Sequence, residues 1–247
     1  MIQVRHDYSD KAVLLDVWDV STFQGEAQGM EGQPLRWVEP QQLGDFEFPA
    51  ANRPIVTSAR LPDRYLITPG DLAPAVLLNG LHRALETGVR LVQLRTPDFF
   101  DPQYRDLAVD AQGLCAGRAQ LMLKGPLEWL GDFPAAGWHL TSEQLRRYAP
   151  KGRPFPGHRL LAASCHSAEE LALAAEMDVD FVTLSPVAPT ASHPDATPLG
   201  WDKATELLAG FNKPVYLLGG LGADDLDSAW QAGAQGIAAI RALWPTD

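Results

Sequence analysis

A chain of 247 residues that is 46% hydrophobic and 21% charged has a globular composition, neither disordered nor fibrous. Its net charge of −11 at pH 7 argues against nucleic acid as a partner, because such a partner demands a basic field. The same charge permits a small phosphorylated ligand held by local backbone amides.

No run reaches the roughly 18 apolar residues of a membrane helix, so no membrane partner is expected. Met1 is followed by Ile2, Gln3, Val4 and then Arg5, His6 and Asp7, without the apolar stretch of a signal peptide. The expected compartment is the cytoplasm. The two cysteines, Cys115 and Cys165, stand far apart, which suggests neither a disulfide framework nor a thiolate metal site.

The first ~60 residues read differently from the rest. Ala12–Val20 is apolar and β-branched, which predicts a strand. Gly25 to Gly32 is turn-rich, Leu35–Val38 predicts a second short strand, and Glu39–Leu43 a helical turn. Pro49 and Pro54 punctuate the next stretch. Elements this few bury no core alone, so the segment is either a domain fragment or an arm packed on the rest of the chain.

From Tyr65 short apolar runs alternate with helical patterns, eight times over. The predicted strands are Tyr65–Thr68, Leu91–Leu94, Gln120–Leu123, Gly137–Leu140, Leu160–Ser164, Phe181–Leu184, Val215–Leu218 and Ile237–Ile240. Between them, Asp71 is expected to cap a helix over Leu72–Thr87 and Asp101 one over Tyr104–Cys115. Ser142 opens Glu143–Tyr148, and Ser167 with Glu170 predicts a capping box for Ala168–Met177. Asp202 starts Lys203–Leu208, and Ala223–Asp225 opens a helix to Ala232. Eight strand–helix units with right-handed crossovers predict an α/β fold, a (β/α)8 TIM barrel with a short β-rich segment in front. A doubly wound open sheet is the alternative.

In such a barrel, chemistry sits where strands end, and the period-two alternation selects the inward side chains. Gln93 and Arg95 share a face at the end of the second barrel strand. An inward arginine suits either an anion clamp or an ion pair with a loop carboxylate. Ser164 and His166 share a face at the end of the fifth strand, with Cys165 opposed. His166 is the candidate acid/base, or else it bonds to the barrel rim. Thr190, Ser192 and His193 tip a proline-rich loop after the sixth strand, which would bind phosphate, act as a lid, or merely plug the end. After the seventh strand Gly219 and Gly220 open a helix, and Gly236 lies in the run Gly236–Arg241. Loops after the last two strands are the usual phosphate position in this fold, and glycine lets backbone approach a phosphate closely. A plain tight turn is the other reading.

As an ordered set, Tyr65–Thr68, Val92–Arg95, Gly137–Leu140, Ala163–His166, Ser185–Pro186, Pro214–Gly222 and Gly233–Ala238 resemble the thiamine phosphate synthase/TenI superfamily over essentially the whole barrel. The resemblance implies a thiazole phosphate held by amides of Gly219, Gly220, Gly236 and Ile237. In the synthase branch that phosphate is joined to a pyrimidine pyrophosphate with magnesium. Four charged family positions differ here: Pro97 stands for a lysine, Lys124-Gly125 for Asn-Asp, Gln144 for a second aspartate, and His193 for a lysine. Loss of both carboxylates removes hard oxygen ligands, so no magnesium or other cofactor is expected in the barrel. The TenI branch is similar to a thiazole tautomerase that moves protons with a histidine matching His166.

The segment before the barrel has its own resemblance. Glu26, Glu31–Val38 and Phe48–Ile55 are similar to the tail of a MutT-type Nudix hydrolase, with Glu31 matching a metal-assisting glutamate and Asn52 a base-contacting asparagine. The Nudix box is absent from this chain, so nucleotide hydrolysis is not expected of it. The chain looks like a Nudix–TenI fusion that begins late, partial Nudix-like over 1–60 and barrel over 61–247.

Three functions compete: a TenI-like protein binding a phosphorylated thiazole with proton transfer by His166, a non-catalytic scaffold of a Nudix enzyme, and thiamine phosphate synthase. Exposed strand edges in the N-terminal segment also predict association with a second copy, a homo-oligomer.

Overall fold

The computed structural model describes residues 2–7, 10–96, 102–190 and 195–245. Eight parallel strands close into a barrel: β3 (Arg64–Ile67), β4 (Leu91–Leu94), β5 (Gln120–Leu123), β6 (Gly137–Leu140), β7 (Leu161–Cys165), β8 (Phe181–Leu184), β9 (Val215–Leu218) and β10 (Gly236–Ala239). β10 pairs with β3 through Ile237–Arg64, Ala238–Tyr65 and Ala239–Leu66, which removes any open edge. The open-sheet alternative is thereby excluded. All eight expected strands form, none displaced by more than one residue at either end.

Two packed layers result from the alternation. Tyr65, Leu91, Met122, Ala162, Phe181, Tyr216 and Ala238 point into the barrel. Tyr65, Phe181 and Tyr216 form a triangle there, each pair of ring centroids 5.4 Å apart. The outward residues, such as Leu66, Val92, Leu94, Leu123, Leu140 and Val182, are buried against the helices. Filling both faces makes each strand almost wholly apolar, as parallel strands covered on both sides require.

The helices are α2 (Pro74–Glu86), α3 (Pro102–Cys115), α4 (Ser142–Tyr148), α5 (Ala168–Glu176), α6 (Gly200–Leu208) and α7 (Leu226–Gln231). Several starts differ from expectation. α2 begins after Ala73 with Pro74 in its first turn, not at Asp71, because proline supplies a preset φ and needs no N–H there. At α4 the cap is Thr141, whose side chain and that of Gln144 complete a reciprocal box. At α5 only half of the expected box forms: Ser167 Oγ accepts from the Glu170 amide at 3.4 Å, while the Glu170 carboxylate turns to the amide of His166 at 2.7 Å. α6 starts at Gly200, two residues ahead of Asp202, and α7 is preceded by a 3-10 turn over Ala223–Asp225. The expected cap Asp101 lies outside the described residues.

Ahead of the barrel, β1 (Ile2–Asp7) and β2 (Ala12–Val17) form an antiparallel pair. A 3-10 turn covers Pro40–Asp45, and α1 (Arg53–Arg60) leads into the barrel. β1 and α1 were not legible as such. The strand expected at Leu35–Val38 does not form; Trp37 there is 77% exposed and has no partner strand to complete a ladder.

This segment is an arm packed on the barrel. Asn212, in the turn entering β9, exchanges two hydrogen bonds with the backbone of Arg5. Gln235, just ahead of β10, binds Ser58 Oγ and the carbonyls of Ser58 and Leu61. Tyr216 Oη donates to the Pro62 carbonyl at 2.5 Å, and Leu61 packs beneath the inner aromatic layer. The arm therefore covers the N-terminal strand ends, leaving the opposite end open. No helix among the described residues is long and apolar enough to cross a membrane.

Candidate ligand-binding site

At the C-terminal ends of the strands lies a cavity of about 720 Å³. That volume suits a small organic ligand. Its walls come from alternate residues of successive strands: Ile67, Gln93 and Arg95, Lys124, His139 and Thr141, Ser164 and His166, Thr183 and Ser185, Leu218 and Gly220, Ala238 and Ile240. The pleat alone aims these side chains inward and sends their neighbours to the helices.

Arg95 is fixed at the rim through its backbone. Its amide donates to Thr68 Oγ1 at 2.9 Å, and Thr68 Oγ1 donates to its carbonyl at 3.2 Å. Among the described residues no carboxylate pairs with its guanidinium, so the ion-pair alternative finds no partner there. Gln93 is almost fully buried and belongs to the floor.

The floor is a directional hydrogen-bond chain. Gln93 Nε2 donates to Tyr65 Oη at 3.0 Å. Tyr65 Oη lies 3.0 Å from His139 Nδ1, and His139 Nε2 lies 3.0 Å from Ser164 Oγ. Tyr65 is fully buried and has one hydrogen to donate; since Gln93 already donates to it, His139 Nδ1 is the acceptor. His139 then carries its proton on Nε2 and donates to Ser164, which leaves the serine hydrogen for a ligand. Burial first, and then the nearby Lys124 charge, hold the His139 pKa well below its ordinary value, so the ring stays neutral. Tyr65→Phe is expected to lower stability by about 1–3 kcal/mol, since it strands buried polar groups at both ends of the bond. Chemical denaturation measures this; an unchanged midpoint would contradict the chain.

His166 sits on the rim. Its Nδ1 is 2.7 Å from the Ser185 carbonyl, which can only accept. Nδ1 therefore bears hydrogen, and in the neutral ring Nε2 is the nitrogen with the lone pair. The His166 amide is held by Glu170, itself 5% exposed and paired with Arg146. The neighbouring Cys165 is buried and its thiol is pushed up by desolvation, so it supplies no nucleophile.

After β9, Gly219 and Gly220 adopt φ of 105° and 67°. They run directly against the loop after β8, where Ala188 N donates to the Gly219 carbonyl at 3.0 Å. A Cβ on Gly220 would lie 2.4 Å from the Pro189 carbonyl oxygen. The amides of Gly220 and Leu221 donate to no backbone carbonyl among the described residues, so they are available to a ligand. Thr190 joins this wall. Ser192 and His193, expected at the same loop tip, lie outside the described residues.

One expected part of the site is corrected. Gly236 and Ile237 open β10 at the arm-covered end of the barrel. A Cβ on Gly236 would sit 1.8 Å from the Asp63 carbonyl oxygen, and Ile237 is wholly buried, its amide bonded to that same oxygen at 3.0 Å. The glycine there serves close strand packing. What reaches the cavity is the other end of β10 and the segment after it, Ala238 to Ala242. The pocket thus rests on Gly219 and Gly220 without Gly236.

Lys124, His139, Thr183 and Arg241 were not among the expected site residues, yet all line the cavity. The inward alternation that selected Gln93 and Ser164 also selects Lys124, His139 and Thr183. Magnesium does not fit this lining. No aspartate or glutamate faces the cavity among the described residues, and no group of three potential metal ligands occurs among them. Gln144 is committed elsewhere, donating from Nε2 to the Gly125 carbonyl and accepting from the Thr141 amide.

A closed barrel whose described cavity lining is cationic and holds no carboxylate, with a glycine turn after β9, is suited to an anionic ligand. Comparison with known proteins narrows the class. Residues 64–243 match the family model described as Thiamine monophosphate synthase, and the chain belongs to that family. A protein of Aquifex aeolicus named "Putative thiamine-phosphate synthase 2" is 34% identical over 181 residues, covering 73% of this chain and 96% of that protein. Thiamine-phosphate synthase of Methanosarcina barkeri is 28% identical over 183 residues, 73% of this chain and 82% of its own. The solved thiamine phosphate pyrophosphorylase of Pyrococcus furiosus superposes with a TM-score of 0.59 at 21% identity, covering 72% of this chain and 85% of its own, a likeness of fold.

Proposed function

We propose that the barrel binds a phosphorylated thiazole-type molecule of thiamine metabolism, with the phosphate on the Gly219–Gly220 turn and His166 as the proton-transfer group. One observation carries the reading: the cavity is lined by Arg95, Lys124 and Arg241 and by no described carboxylate, in a chain of net charge −11. An acidic protein that concentrates cations around one pocket is built for an anion. His166, with Nε2 free to accept, can shift a proton without a metal. Calorimetric titration with thiazole phosphate tests the binding, and no heat at millimolar ligand would end the proposal.

A second reading is thiamine phosphate synthase itself, favoured by the names of the relatives. Formation of thiamine phosphate from thiazole phosphate and the pyrimidine pyrophosphate, with magnesium, would establish it. Release of an isomerised thiazole without coupling would support the first.

We read residues 1–60 as a partial Nudix-like segment ahead of the barrel at 61–247. The small antiparallel sheet and the match of Glu31 and Asn52 support this, and a barrel acting only as scaffold for a Nudix partner is its functional alternative.

A further inference from the structure

We propose that Lys124 is an imine-forming lysine, so that the cavity also takes a phosphorylated aldehyde or ketone and holds it as a Schiff base. The inference rests on the function proposed above only in seating the phosphate on the Gly219–Gly220 turn.

Beyond the arm the chain has four lysines, Lys124, Lys151, Lys203 and Lys213. Three of them have partners: Lys203 pairs with Glu206, Lys213 with Asp178, and Lys151 lies over the Tyr148 ring. Lys124 instead lines the cavity, and its ammonium has no carboxylate partner among the described residues. The backbone beneath it is held on both flanks. Its amide donates to Tyr104 Oη at 3.1 Å, and Gln144 Nε2 donates to the Gly125 carbonyl at 2.8 Å. Keeping an ammonium partly buried and unpaired is costly, and such costs gather at functional sites.

Burial first, and then the charge of Arg95, bring the Lys124 pKa down to about 8. Against the usual 10.5, this leaves about 300-fold more neutral amine at pH 7. The neutral amine is the form that attacks a carbonyl. The groups facing Lys124 are Arg95 from the end of β4, the Tyr104 hydroxyl from α3 and His139 from β6. None of them carries a negative charge, since burial raises the Tyr104 pKa, so none holds the lysine protonated.

The ring of strands places the remaining parts. β5 and β9 stand four places apart in a barrel of eight, so Lys124 and the glycine turn rise from facing sides. β7, which carries Ser164 and His166, stands midway between them. A ligand with its phosphate on the turn extends its carbon chain across the cavity toward Lys124. The Ser164 hydrogen, left over by the bond to His139, can bond the carbonyl oxygen and make its carbon more electrophilic.

In the reaction, Lys124 Nζ bonds to the carbonyl carbon and the C=O π pair goes to oxygen. His166 relays the proton lost by nitrogen to that oxygen. The carbinolamine then expels its hydroxyl with a proton as water, which leaves a C=N bond to Lys124. One amine and one carbonyl give one imine and one water, with no oxidant, reductant or metal.

To test this, the full chain is incubated at pH 7 with dihydroxyacetone phosphate and cyanoborohydride, whose hydride serves only to trap the imine. Peptide mass spectrometry locates the adducts. One reduced adduct at Lys124 is expected, formed at least about tenfold faster than at Lys11, Lys151, Lys203 or Lys213. Dihydroxyacetone without the phosphate should label Lys124 about tenfold more slowly. No adduct at Lys124, equal labelling of all five lysines, a rate indifferent to the phosphate, or an unchanged adduct yield in K124Q would each overturn the inference. Calorimetry with thiazole phosphate reads the proposed function separately. Heat without an adduct keeps that function and ends the imine; an adduct without heat ends that function and keeps Lys124 as the reactive lysine.

Discussion

His166→Asn is expected to reduce proton-transfer turnover of a thiazole phosphate by about 10²- to 10⁴-fold, the usual contribution of a positioned acid/base. Asparagine keeps an N–H that can donate to the Ser185 carbonyl, so the 2.7 Å contact made by Nδ1 has a substitute. It offers no basic nitrogen in place of Nε2. The dissociation constant for the thiazole phosphate should change little, because the proposed phosphate site is the Gly219–Gly220 turn, whose backbone amides His166 does not supply. A kcat that falls with an unmoved binding constant assigns the histidine to the chemical step. Retained turnover would place the proton transfer elsewhere, or leave His166 as a rim contact held by Glu170 and Ser185.

Gly220→Ala is expected to weaken phosphate-ligand binding by about 10- to 100-fold, equivalent to one or two lost charge-assisted hydrogen bonds. Two costs combine at this position. The backbone has a φ of 67°, where an L side chain is strained by about 1–2 kcal/mol. The new Cβ also meets the Pro189 carbonyl oxygen at 2.4 Å and Ala188 Cβ at 3.0 Å, so the turn or the loop must move. Gly233→Ala is the control. It has a φ of 88° but open space around its would-be Cβ, so it carries the backbone cost without the collision. Comparable loss of stability with loss of binding only in Gly220→Ala would separate strain from the cradle. Equal ligand affinity in both variants would remove the glycine turn from the site.

Periodicity made the barrel legible. The runs Leu91–Leu94, Gln120–Leu123, Gly137–Leu140, Phe181–Leu184 and Val215–Leu218 have the bounds read from apolar pattern alone. A parallel strand buried on both faces must be short and apolar throughout, and that pattern survives in one dimension. Helix starts were less legible. At α2 a proline in the first turn outcompeted a plausible acidic cap, and at α5 the Glu170 carboxylate had a better donor in His166 than in Ser167. The site was half legible. Gln93, Arg95, Ser164, His166, Gly219 and Gly220 came from strand ends and alternation, and the cavity contains all six. His139 was passed over within an otherwise apolar strand, and Lys124 was read only as part of the pair Lys124-Gly125 that replaces Asn-Asp, without weight on its own charge.

The amino-acid order by itself determined that eight strands alternate with helices and which side chains of each strand face inward, because both arise from local backbone geometry. Only the tertiary structure decided which end of β10 reaches the cavity, that Tyr65, His139 and Ser164 join in one hydrogen-bond chain, and that Arg95 and Lys124 line one cavity without a described counter-charge. These depend on strand register and on barrel closure between residues up to about 170 positions apart, Arg64 with Ile237 among them. A pairing of that range is set by how the whole barrel packs, and no local pattern along the chain encodes it.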